Sequence, residues 1–294
     1  MTLRTQTIHI DAQLLGLLSP DVAQILSRGQ RCELPGGMIW HAWGSEAAPT
    51  MVLLHGGSGS WTHWLRNIVS LLNDGYRVLA IDLPGFGDSA APLHGGDADA
   101  LVEPLHAAWQ LMRRHDNNTF MGFSFGGMTA ALWLAAYPQD AQCLVMVGAP
   151  GFGMASPHRI PLKGWRHLPT PALQAQAHRH NLLGLMLRDA AHLDEVAMRL
   201  HVLNVVRDRM TRRRLASTPI LVDAMPRIEC PVHVIYGEHD AFYLDRLPEV
   251  LAMFKQVTPT LASCQLVPGM GHWVQYESPT EFERALKCAL KGSA

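Results

Sequence analysis

The sequence predicts an α/β protein: a mostly parallel central sheet, helices on both faces, and a helical cap inserted after the sixth strand. Short, fully apolar runs recur between longer helical stretches, as buried parallel strands require. Several of these runs end in a glycine-rich loop, which places the loops at the carboxyl ends of the strands, where open α/β sheets hold their ligands. Between residues 151 and 226 the strand runs stop, and they resume afterwards.

Taken in order, residues 38–43 read as a strand, and residues 51–54 as a buried strand meeting His55-Gly56-Gly57. Residues 78–82 repeat the pattern and end at Leu83-Pro84-Gly85-Phe86-Gly87-Asp88-Ser89. Residues 119–123 form another strand, followed by Ser124 and a helical run over 126–137 that Pro138 stops. Residues 144–147 precede Gly148-Ala149-Pro150-Gly151. After the interruption, 231–236 and 264–267 are strands, and 281–290 is a closing helix. The expected organisation is a leader over 1–30, a core over 31–150 and 227–294, and a cap over 151–226, its first third broken by Pro157, Pro161, Pro169 and Pro171. The cap carries eleven Lys and Arg, Arg159 among them, against five Asp and Glu, a net +6 that leaves −7 elsewhere. A solvated helix face explains this; a field that attracts an anionic substrate is the sharper alternative.

Composition narrows the function classes. With 294 residues, 48% hydrophobic and a net charge of −1, the chain buries a sizeable core and is not intrinsically disordered. Its five cysteines share no C-x-x-C or Cys/His ligand spacing, so no metal site is expected. No apolar stretch approaches 18 residues and no basic segment leads into one, so a membrane partner is not expected and a cytoplasmic location is. A balanced charge gives no reason to expect nucleic acid.

The chemistry concentrates at Gly122-Phe123-Ser124-Phe125-Gly126, a G-x-S-x-G between an apolar strand and a helix. A serine at such a turn projects its hydroxyl clear of the backbone, and the flanking glycines avoid clashes that side chains would cause. Serine needs a base, and the base needs an orienting carboxylate. Asp240, in Gly237-Glu238-His239-Asp240, and His272, in Gly269-Met270-Gly271-His272-Trp273, each follow a strand; Glu238 and Asp245 are the alternative carboxylates. Oxyanion donors are expected from the backbone N–H groups of Phe125 and Gly57. His55 reads as a brace for the Gly57 loop. Expected pocket residues are Trp61, His63, Trp64, Phe123, Trp165 and Trp273, with Arg199 and Arg207 from the cap.

Together, His55-Gly56-Gly57, Asp82 to Ser89, Gly122 to Gly127, Gly237 to Asp240 and Gly271-His272 resemble the α/β-hydrolase superfamily over roughly 31–150 and 227–290. The resemblance implies hydrolysis by a Ser-His-Asp triad through an acyl-enzyme or related tetrahedral route, without metal or organic cofactor. Serine at the elbow, instead of aspartate, implies attack at a carbonyl. Arg66-Asn67 and Gly271 to Glu277 are also similar to the meta-cleavage product hydrolases, which cut a C–C bond beside a ketone. The chain departs from that group at Phe123 and His63, where its members carry asparagine, and Arg199, Arg207, Arg209 or His201 takes the place of their carboxylate-gripping arginine. The implied activity is cleavage of a small carboxylic ester, with C–C hydrolysis of a dienoate ketone acid as alternative and a ligand receptor on the same scaffold as a third. A homodimer is common among such relatives.

Overall fold

The computed structural model describes residues 3–154, 160–210 and 212–291; Pro157 and Arg159 lie outside them. Among the described residues nine strands form one sheet: β1 (Arg4–Thr7), β2 (Gln30–Leu34), β3 (Met38–Trp43), β4 (Thr50–Leu54), β5 (Arg77–Asp82), β6 (Asn118–Phe123), β7 (Cys143–Val147), β8 (Val232–Gly237) and β9 (Leu261–Val267). Their order is β1-β2-β3-β5-β4-β6-β7-β8-β9. β1, β2 and β3 run antiparallel to their neighbours, and every pairing from β5 to β9 is parallel.

Helices α1 (Ala12–Gly16) and α2 (Pro20–Ser27) follow β1, α3 (Ile68–Asn73) follows β4, α4 (Val102–Met112) follows β5, and α5 (Phe125–Ala136) follows β6. The segment between β7 and β8 carries α6 (Pro171–Asn181), α7 (Glu195–Val205) and α8 (Ile220–Ala224). Then come α9 (Leu247–Val257), α10 (Val274–Glu277) and α11 (Pro279–Lys291). Among the described residues no helix is long and apolar enough to cross a membrane.

The two-residue period of a strand sorts the core into two layers. Val52, Leu54, Leu79, Ile81 and Phe120 face one layer with α4 and α5; Met51, Leu53, Val78, Ala80 and Met121 face the other with α3 and α11. Both faces are covered from β3 to β8, so those strands are buried along almost their whole length.

Residues 3–30, expected as a leader, pack into this fold. Residues 4–7 pair with β2, and Ile8, Ile10, Leu14 and Leu26 are buried in the second layer. The helical segment consequently follows the seventh strand, not the sixth. The side chains of β1 are all exposed, so the segment has no apolar alternation by which to be recognised.

Candidate active site

Ser124 stands at the carboxyl end of β6 and starts α5 with φ 52° and ψ −117°, a conformation unfavourable for any residue but glycine. Its surroundings hold it there. The Ser124 N–H donates to Val147 O at 2.7 Å. A Cβ on Gly122 would lie 2.4 Å from Gly126 O, and one on Gly126 would lie 2.4 Å from both Leu54 O and His55 O. Strand, turn and helix therefore close only with glycine on either side of the serine.

Asp240 and His272 are brought together from the loops after β8 and β9. The His272 Nδ1–H donates to Asp240 Oδ2 at 2.7 Å, both side chains being essentially fully buried. The second Asp240 oxygen accepts the Phe242 N–H at 2.9 Å. This arrangement fixes the imidazole tautomer and leaves the Nε2 lone pair free. The rings of Phe123 and Phe242 pack on His272 at 4.9 and 4.6 Å. Gly148, next to the Val147 that holds Ser124, has φ 57°, and a Cβ there would sit 3.1 Å from the His272 ring. Serine, histidine and aspartate thus converge around one glycine turn. Among the described residues Ser124 Oγ and His272 Nε2 form no hydrogen bond with each other; such bonds are commonly long until substrate tightens them. Glu238 is engaged elsewhere, accepting the Gly269 N–H at 2.9 Å.

The loop after β4 lies against the serine, since a Cβ on Gly56 would be 3.3 Å from Ser124 Cβ. His55 braces it with both ring nitrogens: Nδ1–H donates to Gly56 O at 2.7 Å, and Nε2 accepts the Leu83 N–H at 3.0 Å. Burial drives its pKa down to about 4, so the ring is neutral. Asp82 ties the next loop to this one, accepting from the Trp61 and Asp88 N–H groups. Among the described residues neither the Gly57 nor the Phe125 N–H has a protein acceptor, and Phe125 opens α5, where the helix field favours developing negative charge.

A cavity of about 230 Å³ lies between this loop and the helical segment, with walls that include Gly57, His63, Trp165, Met186, His201 and Asp208. It brings in His63 and Trp165 among the expected pocket residues. Phe123 and Trp273 stand just behind, their rings 5.6 and 4.9 Å from that of His63. Trp61 and Trp64 belong to the core instead: Trp61 packs on His41 and Trp43, and Trp64 on Phe282. The two expected arginines are drawn away by carboxylates. Arg199 makes a two-pronged bond to Asp11, and Arg207 donates to Asp88 at 2.9 Å. Neither lines the cavity beside Gly57.

The profile of the alpha/beta hydrolase family matches residues 51–285. The chain belongs to this family. A 2-hydroxy-6-oxononadienedioate/2-hydroxy-6-oxononatrienedioate hydrolase of Klebsiella pneumoniae is 26% identical over 81% of this chain and 86% of its own. The protein of the same name from Paraburkholderia xenovorans is 28% identical over 81% and 86%. Among solved structures, an esterase from Rhodococcus sp. ECU1013 superposes with a TM-score of 0.71 at 21% identity, covering 91% of this chain and 96% of its own. Carboxylesterase CesB from Bacillus subtilis gives 0.71 at 17%, covering 95% and 96%. These structures share the fold.

Within the family fold, one cation reaches the Gly57 loop that sequence reasoning left in a run of charge. Arg213 Nη2 donates to Asp208 Oδ2 at 3.0 Å and Ser58 Oγ at 3.1 Å. Its guanidinium faces the Phe86 and Phe125 rings at 5.1 and 5.7 Å. Nη1 is buried without a partner, 3.2 Å from where a Cβ on Gly57 would be. Arg212-Arg213-Arg214 reads as solvated surface, and only the fold selects its middle member.

Proposed function

We propose that this chain is a serine hydrolase of small carboxylic esters, with Ser124 as nucleophile, His272 as base, Asp240 as its orienting partner, and residues 151–226 as a cap over the site. The observation that carries the reading is the positive-φ Ser124 at the β6–α5 turn beside a buried, correctly polarised Asp240–His272 pair.

In the proposed cycle His272 Nε2 takes the Ser124 hydroxyl proton as Oγ attacks the ester carbonyl carbon. The carbonyl oxygen becomes an oxyanion held by the Phe125 and Gly57 N–H groups. The C–O bond to the alcohol breaks as the imidazolium returns the proton to the leaving oxygen. Water, deprotonated by the same nitrogen, then attacks the acyl carbon; the bond to Ser124 Oγ breaks as the imidazolium returns that proton to it, and the acid is released. Asp240 orients the imidazole and stabilises the imidazolium.

The second reading is C–C hydrolysis of an acidic ketone. It draws on the relatives' names and on the unpartnered Nη1 of Arg213, a donor suited to a carboxylate. Turnover of 4-nitrophenyl butanoate, abolished in Ser124→Ala, supports the ester reading. Bleaching of a dienoate ketone acid, lost in Arg213→Met, with no ester turnover, supports the second. Neither activity in a folded, Ser124-bearing protein overturns both.

A further inference from the structure

His55 and His63 belong to one loop, yet their bonding differs. His55 spends both nitrogens on backbone. His63 spends one: its Nδ1 accepts the Gly56 N–H at 3.2 Å. An imidazole that accepts through Nδ1 carries its proton on Nε2, and among the described residues no protein acceptor meets that N–H. His63 is 5% exposed and forms part of the cavity wall.

The ring's orientation is over-determined. A Cβ on Gly59 would fall 2.3 Å from His63 Cε1, so Gly59 is the seat of the imidazole. Trp273 donates its Nε1–H to His63 O at 3.1 Å, and the rings of Trp273, Phe123 and His55 surround the imidazole at 4.9, 5.6 and 6.0 Å. Gly56, whose N–H fixes the tautomer, is the residue that abuts Ser124 Cβ. A buried donor held this firmly beside the serine, with its N–H turned to a cavity, is built for an acceptor that arrives with the substrate.

We propose that His63 is a specificity-determining residue whose Nε2–H donates to a neutral oxygen of the acyl group, so that keto- or ether-bearing acyl esters are preferred over alkyl esters of equal length. This rests on the ester-hydrolase reading and names its substrate class. Burial and the neighbouring His55, His201 and His272 hold the His63 pKa well below the ordinary value, so the donor is neutral at physiological pH and does not select for anions. His201, in the wall of the same cavity, is also held neutral by burial.

The test compares 4-nitrophenyl pentanoate with 4-nitrophenyl 3-methoxypropanoate, in which oxygen replaces one methylene. Wild type, His63→Phe and His63→Gln are assayed, with labelling of Ser124 by a fluorophosphonate as an independent check on the nucleophile. The ratio of kcat/KM, ether over alkyl, is expected to fall roughly tenfold in His63→Phe and to recover in part in His63→Gln, which restores an N–H near Nε2. Equal loss on both esters, or an unchanged ratio in folded His63→Phe, overturns the proposal. A second readout covers a variant that does not fold: in ¹⁵N-labelled Ser124→Ala, the His63 Nε2–H resonance is expected to shift on adding methyl 3-methoxypropanoate and not methyl pentanoate. The same response to both ligands also overturns it. Failure of the hydrolase reading shows differently, as absent turnover of both esters and absent labelling in wild type.

Discussion

Asp11 and Arg199 form a two-pronged ion pair, Nε to Oδ1 at 2.9 Å and Nη2 to Oδ2 at 2.6 Å, that joins the N-terminal segment to α7. Asp11 also caps α1, accepting the Leu14 N–H at 2.9 Å. The N-terminal segment therefore braces the helix that carries His201 into the cavity.

Asp11→Ala is expected to cost about 1–2 kcal/mol through loss of the cap and the pair, read by chemical denaturation. Hydrogen bonding from Arg199 lowers the Asp11 pKa below its ordinary value. The folded chain thus releases this proton more readily than the unfolded one, and the contribution is present above the ordinary carboxylate range and lost as pH falls through it. The difference between wild type and variant should be full at pH 7 and shrink under acid conditions; a difference independent of pH would contradict the assignment.

Buried histidines set a second pH dependence. Burial lowers His55 and His201 from the ordinary 6.5 to about 4. Between those values the unfolded chain binds protons that the folded chain refuses, so stability falls as pH drops from about 6.5 toward 4. His55 alone accounts for roughly 3 kcal/mol over that window. Urea denaturation at pH 7 and pH 5 reads it, and equal stabilities at the two would refute it.

Asp240→Asn is expected to leave the fold intact and to lower kcat on the order of a thousandfold or more. The amide keeps an acceptor for the Phe242 N–H but removes the charge that holds the His272 Nδ1–H. Circular dichroism and steady-state kinetics on 4-nitrophenyl butanoate separate the two effects; a loss of kcat only severalfold would remove Asp240 from the proposed role.

Two glycines of the site should respond in opposite ways. Gly126→Ala drives a Cβ into two backbone carbonyls at 2.4 Å, which cannot retreat, and should destabilise by more than about 3 kcal/mol. At Gly57 the new Cβ meets only the end of the Arg213 side chain at 3.2 Å. Gly57→Ala is expected to fold with nearly the wild-type Tm, and a drop as large as that of Gly126→Ala would show that the loop tolerates no shift of Arg213.

The strands from β3 to β8 were legible because both faces of the sheet are covered, which turns each into a continuous apolar run. The places of Ser124, Asp240 and His272 at the carboxyl ends of strands were legible because each lies beside a glycine-marked turn. β1 was not, since its four exposed side chains give no pattern. The cavity wall was legible only in part: Trp61 and Trp64 share their loop with His63, and nothing in their spacing says that they turn to the core.

The sequence alone carries the strands from β3 onward, the order of their loops and the residue types that chemistry demands there, because burial and backbone strain are written locally in apolar runs and glycines. Only the tertiary structure decided which cations between β7 and β8 stay outside, where Asp11 and Asp88 capture Arg199 and Arg207, and which of two neighbouring histidines keeps a free N–H. Those outcomes depend on partners far apart in the chain. Hydrogen-bond geometry and ion pairing are settled by proximity in space, which a linear pattern does not carry.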